Sequence, residues 1–441
     1  MGRTYIVEDV VEGYLTKQCE QTAGPVSGLL IGQSSTQREY VVTATRTPQR
    51  EESTASGGNS PDKEWVTEHA RQVSRMLPGG LSVLGVFIVT DTDAKDTLTT
   101  LRQLVFAVEN LISSERLWTS AEDDVSDRVV LHVNPKTRKT LCRTFDVKDP
   151  KSVAKPADWK YQSGVCSSWS TVSCCVSVDV LLPLPDNPTE GLRGWAHQLE
   201  SAVCLIDGRR LAADAELAGG QVDERRLAEG VQRCGGSVSV SGAVYSTAYL
   251  HSNKPKARQA EKLLKRDAVS TLTTRAQMLL EELLTSGGAS EGSKQFCLPH
   301  RVFCPVEASG PVCVCDYRFS DEGLSEVIDR LKEMLDMDAA EKDLDIRRET
   351  PAEVLEGDAA DGRTSVSPAQ CGWCFLFNKW DFCVTEVCCV FPEPTVETAE
   401  ALQSKRNYFG KRSSSVTPPY MFITSNTHVD LVPPSDNTPC C

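Results

Sequence analysis

The chain has 441 residues, is 40% hydrophobic and 6% aromatic, and carries 47 Lys and Arg against 61 Asp and Glu, a net charge of −14. That length supports two or three domains with buried cores, and the acidic balance excludes a general nucleic-acid binder, which needs a cationic surplus to meet phosphates. No apolar run reaches the roughly 18 residues that span a bilayer, and eighteen irregularly spaced cysteines, behind an opening without an apolar leader, read as free thiols of a reducing compartment.

Residues 4–10 and 26–31 are strand candidates, and 40–45 alternates as an antiparallel neighbour of the second. Residues 48–62 are polar and read as a loop. A helix follows, with Pro61 in its first turn and Val66, Ala70, Val73 and Leu77 on one face; Pro78-Gly79-Gly80 ends it. Residues 81–89 form an apolar strand. Asp96 is the expected cap of the clearest amphipathic helix, which carries Leu98, Leu101, Val105, Val108 and Ile112. Strands are predicted at 128–133 and 139–147, joined at Asn134-Pro135, and again at 172–182. Residues 1–184 are thus expected to form one mixed sheet with flanking helices. A second, smaller α/β domain is expected over 190–340, with a helix at 192–205, a mobile insert near 207–229, a long strand or hairpin at 237–250, a helix at 256–284, strands at 296–306 and 312–319, and a last helix through Leu324, Val327, Ile328, Leu331 and Leu335. Residues 341–441 lose all period and are expected to be a disordered tail. The fold class is mixed α+β.

The first ninety residues resemble the opening of a JAMM-type (MPN) zinc isopeptidase. The resemblance rests on Val26-Ser27-Gly28-Leu29-Leu30-Ile31-Gly32, then a polar insert and helix, then Leu81-Ser82-Val83-Leu84-Gly85-Val86-Phe87-Ile88-Val89-Thr90. In such enzymes the second strand ends in His-x-His, and those histidines bind zinc. Here the two positions are Ile88 and Thr90, and Pro25 and Val26 stand where the upstream general-base Glu belongs. The six histidines are scattered, whereas a catalytic zinc needs about three protein ligands and a water. No catalytic residue, metal or cofactor is therefore expected, and the scaffold is expected to work without the reaction.

A wider set of strings is similar to the odorant response abnormal protein 4 homologues. It includes Met1-Gly2-Arg3-Thr4-Tyr5-Ile6-Val7-Glu8, Ala44-Thr45-Arg46-Thr47-Pro48 and Ser74-Arg75-Met76-Leu77-Pro78-Gly79-Gly80. Lys155-Pro156-Ala157-Asp158-Trp159-Lys160-Tyr161-Gln162-Ser163-Gly164, His251-Ser252-Asn253-Lys254-Pro255-Lys256 and Cys315-Asp316-Tyr317 complete it, so that the likeness covers about residues 1–350. It implies a non-enzymatic adaptor at the cytosolic face of the endoplasmic reticulum. Such an adaptor assists folding or trafficking of some G-protein-coupled receptors and partners the cysteine protease specific for the ubiquitin-fold modifier. Members of that family end in a hydrophobic anchor; this chain ends Thr438-Pro439-Cys440-Cys441, which makes a cytosolic location the alternative expectation. A metal-independent hydrolase and a stand-alone receptor chaperone are the other readings.

The remaining motifs have plainer explanations. Gly288-Ala289-Ser290-Glu291-Gly292 has the spacing of a nucleophile elbow but lacks the strand before and helix after it. Cys371 and Cys374, with Cys383 and Cys388-Cys389, fit no standard zinc finger. The Cys440-Cys441 pair resembles a prenylation signal without the GTPase that such a signal needs. The basic run 254–266 reads as the solvated start of a helix. Trp159 and Tyr161 are the candidates for partner binding, since interface anchors are enriched in these residues.

Overall fold

The computed structural model describes residues 2–346 apart from internal gaps, the longest at 50–60, 207–211, 216–236 and 286–295, together with 353–356, 384–390 and 420–426. In chain order the first unit comprises β1 (Thr4–Glu8), α1 (Asp9–Gln21), β2 (Val26–Gln33), β3 (Glu39–Arg46), α2 (Lys63–Arg75), β4 (Ser82–Val89), α3 (Ala94–Glu115), β5 (Asp127–Val133), β6 (Thr140–Asp146), β7 (Lys155–Pro156) and β8 (Asp158–Gln162). They build one eight-stranded mixed sheet in the order β7-β6-β5-β4-β2-β3-β1-β8. β2 and β3 are antiparallel, as their alternation predicts. β4 and β5 are parallel and joined by α3, a βαβ crossover.

Side-chain alternation splits this sheet's residues between two cores. Leu29, Ile31, Val86, Ile88 and Val130 face α2 and α3, whose Val66, Ala70, Val73, Leu101, Leu104 and Val108 cover them. Leu30, Val41, Phe87, Val89, Val129 and Leu131 face the other way, onto Val11 and Leu15 of α1. The sequence reading gave residues 9–10 to the first strand and saw no helix after it, because α1 buries only Val11, Leu15 and Gln18. The cap of α3 is Asp93, not Asp96: the Asp93 carboxylate accepts from the Lys95 N–H at 3.0 Å.

The second unit begins with β9 (Ser170–Pro183), α4 (Pro188–Ser201), β10 (Val203–Ile206), β11 (Ser237–Leu250), α5 (Ala257–Thr285) and β12 (Phe296–Cys297). β9 and β11 pair antiparallel from Ser170↔Leu250 to Pro183↔Ser237. One face of that pair carries Val172, Cys174, Val176, Val244 and Ala248 and is covered by Trp195 and Leu199 of α4 and by Leu264, Ala268 and Leu272 of α5. β9 therefore belongs with the strands after residue 190 rather than with the first sheet.

The next segment turns back. β13 (His300–Pro305), β14 (Cys313–Arg318), α6 (Leu324–Leu335) and β15 (Asp345–Ile346) form a small antiparallel sheet with a helix. Its Val302, Val314, Val327, Leu331 and Leu335 pack into the core between the first sheet and α2. The described pieces of the stretch expected to be a disordered tail include three more strands: β16 (Glu353–Glu356), β17 (Val384–Val390) and β18 (Tyr420–Asn426). They extend the second sheet in the order β10-β17-β18-β9-β11-β16-β12. Most of the expected insert 207–229, the Gly288–Gly292 motif, Cys371, Cys374, Cys383 and the terminal cysteine pair lie outside the described residues.

Candidate functional site

At the positions where the isopeptidase resemblance would put metal ligands, the side chains serve the fold. Ile88 is 2% exposed and lies in the core under α2 and α3. Thr90 follows at the end of β4: its N–H donates to the Val133 carbonyl, and its hydroxyl shares a 2.8 Å hydrogen bond with Thr92. Its carbonyl accepts from Nε2 of His132 at 3.1 Å, which fixes the proton on that nitrogen. Val26, beside the expected general-base position, is buried on the opposite face. Among the described residues no group of three or more His, Cys, Asp or Glu could hold a metal ion.

The thiols are correspondingly quiet. Burial pushes Cys142 up to about 12 and Cys304 up to about 11, and it raises the fully enclosed Cys174 as well. A thiolate nucleophile needs the opposite environment.

Trp159 and Tyr161 sit on β8, an edge strand of the first sheet. Their rings turn inward and are half-buried. Trp159 stacks on Tyr5 with centroids 6.2 Å apart, and Tyr161 meets Trp159 edge-on. Burial raises the Tyr161 hydroxyl above its ordinary value. Asp158, Lys160 and Gln162 point the other way and are exposed. The Asp158 N–H donates to the carbonyl of Arg3, just before β1, at 2.9 Å. Strand alternation then turns the main-chain groups of Trp159 and Tyr161 away from β1, toward the outer edge. Among the described residues no strand pairs with that edge. The two aromatics thus stiffen a strand whose free backbone, rather than whose rings, faces outward.

A second polar centre lies where the two units meet, and the sequence reading did not single it out. Asp267 of α5 is buried, and its carboxylate accepts from the Gly79 N–H, the Ser246 hydroxyl and the Thr247 N–H. It also receives both terminal nitrogens of Arg301, at 2.8 and 2.9 Å. One carboxylate therefore joins the α2–β4 turn, β11, α5 and β13. Beside it, the Gln33 amide donates to the Tyr249 carbonyl at 2.6 Å and accepts from the His251 N–H at 2.9 Å. A signal was present in the sequence: Asp267 falls one residue before the inward Ala268, and Arg301 directly precedes the apolar run Val302-Phe303-Cys304 of its strand. The basic run differs from its expected solvated state. Lys262 and Arg266 pair with Asp123 and Asp124, and Lys265 is buried and reaches the Glu200 carbonyl.

A model of the odorant response abnormal 4-like family matches residues 28–346. The chain belongs to that family. The human odr-4 homologue is 43% identical over 394 residues, covering 79% of this chain and 87% of its own length. The chicken homologue is 41% identical over 392 residues, with 79% and 87% covered. A homologue from Dictyostelium discoideum matches at 32% over 107 residues, 20% of this chain and 24% of its own. Among solved structures, UfSP from C. elegans aligns over 76% of this chain and 57% of that one, with 10% identity and a TM-score of 0.39. No helix among the described residues of this odorant response abnormal 4-like chain is long and apolar enough to cross a membrane.

Proposed function

We propose that this chain is a non-enzymatic adaptor. In this reading it binds the cysteine protease specific for the ubiquitin-fold modifier at the cytosolic face of the endoplasmic reticulum and assists the folding or trafficking of a subset of G-protein-coupled receptors. Membership of the odorant response abnormal 4-like family supports the receptor-related part. One observation carries the adaptor part: in an MPN-like frame, the ligand positions hold a core isoleucine and a threonine tied into a strand end. Neither side chain can be freed for chemistry without opening the fold. Contact through surfaces is the work that remains, and the outer edge of β8 is a surface built to accept a strand.

The test is reconstitution. The purified chain and the purified protease should co-elute on size exclusion, and hydrogen exchange should slow at residues 158–162 in the complex. The chain alone should not cleave a fluorogenic ubiquitin-fold-modifier substrate. Turnover by the chain alone would establish the hydrolase reading instead. Independent elution would remove the protease as partner, and protection confined to another surface would remove β8 as the contact.

A further inference from the structure

A cleft of about 790 Å³ opens between the two units, bounded by the C-terminal ends of α2 and α3, residues 117–120 and 123–128 and the first half of α5. Its charge is opposite to that of the molecule. Nine Lys and Arg line it against six Asp and Glu, while the whole chain carries 47 against 61. One of those six, Asp267, is already neutralised by Arg301 from outside the cleft.

The cations at its floor outnumber the carboxylates they share, although Lys262 also reaches Asp123 at 2.7 Å. Glu109 alone serves two guanidiniums, Arg116 at 3.1 Å and Arg128 at 2.9 Å. Asp124 is divided between Lys262 at 2.8 Å and Arg266 at 2.6 Å. Burial holds the Arg116 guanidinium below its ordinary value, and although Glu109 opposes this, the charges of Arg128 and Arg266 push the same way. Toward solvent, Lys148, Lys256 and Arg258 are exposed, and no described carboxylate pairs with them. An oxyanion placed between Arg116 and Arg128 would relieve this crowding, since planar guanidiniums meet phosphoryl oxygens two at a time. The volume falls in the range of small-molecule sites and exceeds the needs of one phosphate. A cleft of this size in an acidic molecule does not suit a nucleic-acid strand.

We propose that this cleft binds a small molecule or headgroup bearing several phosphoryl groups, with Arg116 and Arg128 at its floor and Lys256 and Arg258 at its mouth. The site is independent of the adaptor role.

Calorimetric titration of the full chain with inositol hexakisphosphate and with inorganic phosphate tests it. The polyphosphate should bind saturably and at least about tenfold more tightly than inorganic phosphate, because several charge-assisted contacts add. The double variant Lys256→Gln, Arg258→Gln alters only exposed side chains and should fold as the parent does; its affinity should drop several-fold. Arg116→Gln should lose about tenfold or more. Flotation with phosphatidylcholine vesicles, with and without phosphatidylinositol bisphosphate, separates the two sources. Capture by the phosphoinositide vesicles that the free polyphosphate competes away assigns a lipid headgroup; binding of the free compound without capture assigns a soluble ligand. Absence of saturable binding, or affinity unchanged in both the rim variant and Arg116→Gln, would overturn the proposal.

Discussion

Two side chains show how far single residues control this structure. Asp267 and Arg301 are 1% and 2% exposed at the side chain. Removing one partner of such a pair leaves the other charge stranded in the interior, which costs about 3–5 kcal/mol. Asp267→Asn should lower the free energy of unfolding by that amount, whereas removing the exposed Lys136–Asp91 pair should leave stability unmoved. His69 sets a pH dependence. It is buried, its Nε2–H donates to the Met334 carbonyl at 2.8 Å, and its Nδ1 has no partner. Burial holds its pKa below the ordinary histidine value. The unfolded chain therefore takes up a proton more readily than the folded one. Stability is full above about pH 6.5, the unfolded value, and is lost as the pH falls through the lower folded value. His69→Gln keeps a side-chain N–H donor and removes the titration. Denaturant unfolding followed from about pH 7 to about pH 5 should give a flatter profile in that variant than in the parent.

At the scale of elements, legibility followed periodicity. β2, β4 and β5 could be read as short apolar runs, buried on both faces, and α2, α3 and α5 by the helical spacing of their buried residues. α1 could not, since a helix that buries two apolar residues and a glutamine writes almost no pattern. The Ile88 and Thr90 positions were read from the likeness of one local strand to that of an isopeptidase, while Asp267 and Arg301 meet across 34 residues of chain and only in three dimensions. Trp159 and Tyr161 were marked by residue type; which way their rings turn depends on β8 lying beside β1, a parallel pairing that local sequence does not state. The turn between α2 and β4 shows a constraint that the sequence did state. Gly80 has φ +86, in the left-handed region, and a Cβ there would collide with the Tyr249 carbonyl and crowd the Gln33 amide. Gly80→Ala should destabilise by more than the roughly 1–2 kcal/mol of the backbone conformation alone. Thermal unfolding of that variant beside Gly13→Ala, a glycine with open space around it, checks the claim.

For the whole molecule, the two sheets are coupled rather than strung together. Main-chain hydrogen bonds cross between them at Gly79, whose N–H donates to the Thr247 carbonyl and whose carbonyl accepts from Tyr249, at 2.9 and 2.8 Å. The chain then returns through β13, β14 and α6 to complete the core of the first sheet, and Leu117 and Trp118 from the first unit pack against the core of the second. Such interlocking should make the pair open together, even though multi-domain chains commonly unfold in steps. Amides of β4 and β5 in the first sheet and of β9 and β11 in the second should then exchange through a common global opening, with matching protection free energies. The Asp267 carboxylate is a buried polar link with partners on both sides, Gly79 on one and Ser246 and Thr247 on the other. Asp267→Asn should therefore do more than lower stability. It should split the exchange into two classes, the second sheet opening first because its helices α4 and α5 cover a single face, whereas the first sheet is covered on both. Hydrogen exchange with mass spectrometry on parent and variant reads both outcomes, and separate opening in the parent would show that the Gly79–Asp267–Arg301 junction does not couple the two sheets.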